Sequence, residues 1–280
     1  MGLKMKTQAK VNFVVALAPE ARPIIGFYKL KRVHSVFPFE LYQNDNIQLV
    51  VCGMGKNNAA VATGYLAGLS NASSLQAWIN IGIAGGDAGS LGEATLAKSI
   101  SDNETNKRYY PSLCFNADIP AVEVTTVNEP TVNYQKGVLF DMEASGFYPS
   151  AVRFSTSELV HCCKILSDNS EQSIHEISKE SIASLIENRM NEVDKLAKKL
   201  IESVDLISAD NELESDFSQL INEYHFSESQ KNLLKTLLQN WRAVSEHSFL
   251  SVIDTSELKN SKELLKELKE SIYSLPITYR

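Results

Sequence analysis

Through its first two thirds the chain alternates short apolar runs with glycine-containing turns and stretches of helical periodicity. The apolar runs are 11-VNFVVALA-18, 39-FELYQ-43, 47-IQLVVCG-53, 77-AWINIGI-83, 121-AVEVTTV-127, 136-KGVLFD-141 and 160-VHCCKILSD-168. They are rich in β-branched residues and stop at Gly, Asn or Asp, which marks them as strands. Helical patterns over 19–30, 56–70 and 142–154 lie between them. Strands alternating with helices in this way predict an α/β sandwich around a largely parallel central sheet.

Beyond about residue 175 the pattern changes. Residues 177–204, 215–226, 229–244 and 261–275 carry apolar positions three and four apart, with Ser or Asp at their starts as caps. No glycine follows Gly146, in keeping with helices free of phosphate-type loops. The first of these helices is expected to complete the α/β domain, which is placed over 11–204. Residues 206–280 read as a helical extension, joined through 205-DLISADNELESD-216 as a linker. Its leucine stripes point to a packed core rather than a cofactor site, with Trp241 as an anchor whose indole N–H finds a partner at the edge.

Composition narrows the function classes. A chain of 280 residues, 44% of them hydrophobic, is long enough for one large domain with an appendage. Its net charge is -7 and its Lys and Arg form no stripe, so no nucleic-acid partner is expected. The cysteines are Cys52, Cys114, Cys162 and Cys163, without metal spacing, and the adjacent pair cannot form an ordinary staple. Reduced thiols, no metal and a cytoplasmic setting are expected. The run at 11–18 is short and leads into Pro19-Glu20-Ala21-Arg22, which suits a buried first strand better than a signal peptide. No segment approaches the length of a membrane span.

Three acids sit where strands end. Glu20 follows the first strand, Glu143 follows 136–141, and Asp168 ends 160–168. Each has a plain structural role available, as a first-turn acid or helix cap. Yet the C-termini of parallel strands share one edge, where ligands bind in such folds, and Glu143 is followed by the small Ala144, Ser145 and Gly146. Asp141, two residues earlier, reads as a cap or support. Glycine turns at 52-CGMGKNNAA-60 and 80-NIGIAGGDAGSLGEA-94 could bring backbone amides to a ligand, although neither has Walker or dinucleotide spacing. His161 and the neighbouring cysteines read as ordinary strand residues, and Phe147 and Tyr148 as core.

In order along the chain, ALAPEAR (Ala16–Arg22), CGMGKNNAA (Cys52–Ala60), INIGIAGG (Ile79–Gly86), FDMEASGF (Phe140–Phe147) and ILSD (Ile165–Asp168) resemble the motifs of the purine nucleoside phosphorylase and methylthioadenosine/adenosylhomocysteine nucleosidase superfamily. The resemblance spans about 11–204. It implies a three-layer α/β/α sandwich with a mixed, largely parallel central sheet, to which the C-terminal helical extension is added.

The resemblance also implies chemistry. Cleaving an N-glycosidic bond builds positive charge on ribose and negative charge on the base, so it calls for an acid, a base and groups that hold the sugar. Asp168 matches the aspartate that protonates or hydrogen-bonds purine N7, and Glu20 the glutamate that activates water. Glu143 matches the glutamate on the ribose hydroxyls, and Met142 the methionine beneath the sugar. Ile83, Ala84 and Gly85 are implied to line the substrate, with Val127 and Asn128 nearest the base.

Asn80 stands where phosphorylases of the superfamily carry an arginine for phosphate, which favours hydrolysis, with Arg22 as a conceivable replacement cation. Ile83 departs from the hydroxyl that often supports the acid, and the connection from Ser99 to Asp141 is short, with no aromatic clearly placed against a base. The expected activity is hydrolysis of a purine nucleoside or related N-riboside by a homodimer without cofactor. Phosphorolysis, or nucleoside sensing through the helical extension, are the alternatives.

Overall fold

The computed structural model describes residues 10–34, 38–69, 75–115, 118–172, 178–245, 247–256 and 258–274, with the backbone alone at 208–212. The outer ends of the helices expected at 56–70, 177–204 and 261–275 lie outside these residues. The chain divides into two compact units, Met1–Val204 and Asp205–Arg280.

In the first unit the strands are β1 (Val11–Val15), β2 (Lys31–Arg32), β3 (Glu40–Gln43), β4 (Ile47–Val51), β5 (Ala77–Gly86), β6 (Ala94–Asp102), β7 (Arg108–Tyr109), β8 (Ala121–Thr126), β9 (Val138–Asp141) and β10 (Val160–Asp168). The helices are α1 (Ala18–Tyr28), α2 (Lys56–Leu69), α3 (Ala144–Ala151) and α4 (Lys179–Glu187). Parallel pairings join β4, β1, β5 and β10, and another parallel set joins β6, β8 and β9. Antiparallel pairings add β3, β2 and β7.

The sheet is mixed, and it also closes on itself. β5 pairs β1 along its first residues, β10 along most of its length, and β9 at Gly85 and Gly86. Since β10 pairs β6, β6 pairs β8 and β8 pairs β9, these strands form a ring that returns to β5. The C-terminal end of β5 lies where the ring shuts.

Alternation along the strands supplies both helix layers. Val14 and Ala16 share a core with Ala59, Ala62 and Leu66 of α2 and with Phe147 and Tyr148 of α3. Phe13 points the other way and stacks on Tyr28 of α1, ring centroids 5.8 Å apart. Layer, sheet and layer are therefore the α/β/α arrangement the motifs imply. Gly146 lets α2 and α3 touch, because a Cβ there would overlap the Lys56 carbonyl.

Two expected elements change form. The helix placed at 177–204 breaks at Asn188–Arg189, where the Arg189 Nε–H turns to donate to the Gly92 carbonyl at 2.6 Å. The linker placed at 205–216 is helical, inside α5 (Met190–Glu223). Its run of acids and polar residues reads as a break in hydrophobic pattern, but it contains neither glycine nor proline to interrupt backbone hydrogen bonds.

The second unit holds the end of α5 with α6 (Glu228–Val244), α7 (Phe249–Val252) and α8 (Ser261–Ser274). Its own core gathers Leu220, Leu234, Leu238, Trp241, Phe249, Leu264 and Leu268. Ser227 caps α6, with Gln230 completing a capping box. The Trp241 indole N–H donates to the His247 carbonyl at 2.8 Å, and Asp216 accepts from the Ser248 hydroxyl and the Phe249 amide.

Candidate active site

The C-terminal stretch of β5 meets two of the three acids, Glu20 from α1 and Asp168 from β10. The Glu20 carboxylate, entering from the first turn of α1, accepts the amides of Leu17 (2.8 Å), Ala16 (3.1 Å) and, across the sheet, Ile83 (3.0 Å). Gly82 makes the approach possible, since a Cβ there would lie 2.8 Å from Glu20 Oε1. Burial pushes the Glu20 carboxyl above its ordinary value, against the pull of those amides and of Lys164.

Two residues further along β5, Ala84 and Gly85 meet Asp168. The register of β10 on β5 shifts between Leu166 and Asp168, a bulge at Ser167 that re-aims the strand end. Ser167 donates its hydroxyl to Asp168 Oδ1 and also approaches the Ala84 carbonyl at 3.2 Å. Tyr134 donates its hydroxyl to Asp168 Oδ2. Asp168 is 1% exposed.

Glu143 arrives from the start of α3. Its Oε1 accepts the Gly55 amide at 2.8 Å, just before the N-terminus of α2, where a helix favours negative charge. Its Oε2 lies 4.0 Å from Nζ of Lys164, a β10 residue with no solvent exposure. Burial raises the Glu143 carboxyl to about 7, with Lys164 opposing and Asp141 and Glu20 adding to the rise. Asp141 is no bystander: it pairs with Lys164 at 2.7 Å, accepts the amides of Glu143 and Ala144, and accepts the Thr126 hydroxyl at 2.7 Å. Asp141 thus caps α3, leaving Glu143 free to turn inward. Met142 is half-buried between β9 and α3.

Not every expected residue falls beside the acids. Ile83 offers its amide to Glu20, while hydroxyl support for Asp168 comes from Ser167 and Tyr134 instead. Asn80 donates to the Val14 carbonyl at 3.0 Å inside the sheet. Arg22 is exposed on α1, about 200° around the helix from Glu20. Val127 and Asn128 lie elsewhere in the site. They border an open cleft of about 470 Å³ with Met54, Gly55, Lys56, Asn57, Asn58 and Glu104, against the Glu143 side. There the Lys56 ammonium bonds Asp102 (2.9 Å) and Glu104 (2.7 Å), and Asn128 bonds Glu104 (3.1 Å).

Sequence reasoning missed Tyr134 and Lys164. Tyr134 is the sole aromatic between β8 and β9, and Lys164 the sole cation in an apolar strand. The second signal was legible, because a charge buried in a strand needs an acid beside it. His161 is structural: it is buried, bonds the Glu158 carbonyl at 2.9 Å and packs edge-on to Phe115. Among the described residues no group of three or more His, Cys, Asp or Glu could hold a metal, and no helix is long and apolar enough to cross a membrane.

Solved structures share this fold. The 5′-methylthioadenosine nucleosidase of Arabidopsis thaliana is 16% identical, with a TM-score of 0.55 over 71% of this chain and 97% of that one. The uridine phosphorylase of Schistosoma mansoni is 14% identical, with a TM-score of 0.54 over 70% and 88%. The futalosine hydrolase of Helicobacter pylori is 14% identical, with a TM-score of 0.54 over 69% and 98%. The chain therefore has the fold of the nucleoside phosphorylase and nucleosidase structures, the superfamily whose motifs it resembles. No protein-family model matches it, and no curated protein sequence does.

Proposed function

We propose that the protein hydrolyses the N-glycosidic bond of a purine nucleoside or related N-riboside, releasing the free base and the ribose moiety. One observation carries the reading: Glu20 and Asp168 both lie against residues 82–85 of β5, and Glu143 shares with Glu20 the field of the Lys164 ammonium. Two carboxylates set against one rigid strand can serve the two ends of one breaking bond. Asp168 would give a proton to the leaving base, Glu20 would take one from water, and Glu143 would accept the ribose hydroxyls, with Met142 under the sugar.

Water is favoured over phosphate as the acceptor. Buried Glu20 would repel a phosphate dianion, Asn80 is engaged with Val14, and Arg22 is turned to solvent. The assay is base release from a panel of nucleosides in phosphate-free buffer, with Asp168→Asn as control. Base released without phosphate, and lost in the variant, supports hydrolysis. Base released only with added phosphate makes the protein a phosphorylase. Binding without turnover would favour a sensing role.

A further inference from the structure

The connection between β8 and β9 sends one aromatic side chain to Asp168. With Tyr134 on Oδ2 and Ser167 on Oδ1, each carboxylate oxygen already has a protein partner. The contact is built into the backbone: a Cβ on Gly85 would lie 2.5 Å from Asp168 Oδ2 and 2.9 Å from the Tyr134 hydroxyl. The tyrosine ring tilts against Phe140, centroids 6.1 Å apart.

Its anchorage is one-sided. After Tyr134 the chain is tied to the end of β5, with the Gly137 amide donating to the Asp87 carbonyl (2.8 Å) and the Asp87 amide to the Val138 carbonyl (3.3 Å). Before it, the Asn133 amide bonds only locally, to Thr131 Oγ1 at 3.2 Å, and Val132 is 58% exposed.

We propose that Tyr134 is a displaceable occupant of the base seat: its hydroxyl holds Asp168 Oδ2 in the empty protein and yields that oxygen to a ring nitrogen of the entering base. The inference rests on the glycosidase reading above. Burial and the adjoining Asp168 push the Tyr134 hydroxyl above its ordinary value, so it stays a phenol and a donor at neutral pH. A ligand that takes its place must restore the hydrogen bond through a ring N–H, because a buried carboxylate left unpartnered is costly. Tyr134 therefore selects heterocycles with a polar ring nitrogen. It also lowers apparent affinity by the fraction of molecules in which the seat is open.

The test uses the full chain as wild type, Tyr134→Phe and Asp168→Asn. Amide hydrogen exchange across 128–138 is followed without ligand, and adenine, hypoxanthine and uracil are titrated by calorimetry. Exchange is expected to quicken about fivefold or more in Tyr134→Phe, which removes the donor, and less in Asp168→Asn, whose amide oxygen can still accept the Tyr134 hydroxyl. Tyr134→Phe is expected to bind the accepted base about tenfold more tightly than wild type, as the occupied fraction disappears. Asp168→Asn should bind no more tightly. Unchanged exchange in Tyr134→Phe, or base binding equal to or weaker than wild type, overturns the occupant while leaving the glycosidase reading in place. If no protein binds any base or releases one from a nucleoside while exchange still quickens, the glycosidase reading falls and the base seat with it.

Discussion

Lys164 and Asp141 form an ion pair inside the closed sheet, with Nζ 2.7 Å from Oδ2 and neither side chain exposed. Glu143 is the second acid on the same ammonium, so one cation serves two carboxylates. The cluster balances when Glu143 holds a proton, which agrees with a carboxyl raised to about 7.

Lys164→Met would leave Asp141 buried without its counter-ion. We expect a loss of about 3–5 kcal/mol, the scale for breaking one side of a buried pair. Lys164→Arg should recover part of it. Denaturant midpoints measure both, and an unshifted midpoint in Lys164→Met would show that the pair does not hold the core together.

Glu143 makes stability depend on pH with a defined sign. The folded protein keeps the Glu143 proton up to about 7, whereas the unfolded chain releases it near the ordinary 4.5. The contribution is full below that lower value and is withdrawn as pH rises through about 7. Relative to Glu143→Gln, wild type should lose about 3 kcal/mol over that window. Parallel thermal melts of the two proteins test it. The same substitution should weaken ribose binding.

In the proposed role of base, Glu20 acts only when ionised. Because burial raises its carboxyl, the acid limb of kcat/KM should lie above the ordinary glutamate value of 4.5, with rate lost as pH falls through it. Glu20→Gln should slow turnover about 100-fold while sparing binding of the free base. A limb at or below the ordinary value, or an unaltered rate, removes Glu20 from the reaction.

Gly146→Ala drives a methyl into the Lys56 carbonyl. Since that contact joins two helices through backbone, no side-chain rotation relieves it, and a loss of about 3 kcal/mol is expected. It should also loosen Glu143, which takes its amide partner from Gly55 at the head of the same helix. Unfolding curves together with nucleoside KM would reveal the double effect; normal values for both would refute it.

How much of this was legible beforehand varies by residue. The β-branched runs located β1, β4, β5, β8, β9 and β10, and the ordered motifs pointed to the three acids that come together around β5 and Lys164. β6 gives no strand signal, because Ala94, Ala97, Lys98, Ser99 and Asp102 have low strand preference; pairing with β10, β8 and β7 makes it one. Tyr134 was invisible for another reason. Its meeting with Asp168 depends on the path of a connection with no periodicity, and only the closing of the ring brings the two together. The amide of Asn128 turns to Glu104, a meeting with a residue 24 positions away that no local pattern in the sequence marks.

That ring has a consequence for the protein as it is made. β10 is the last strand among the described residues, yet it is inserted between β5 and β6 and ends in Asp168. A nascent chain can pair β1, β4 and β5 early, and Glu20 can settle against Ile83, but Lys164 and Asp168 are supplied only when β10 leaves the ribosome. Every shorter intermediate exposes an open seam and lacks Asp168. The closed sheet cannot be completed in halves.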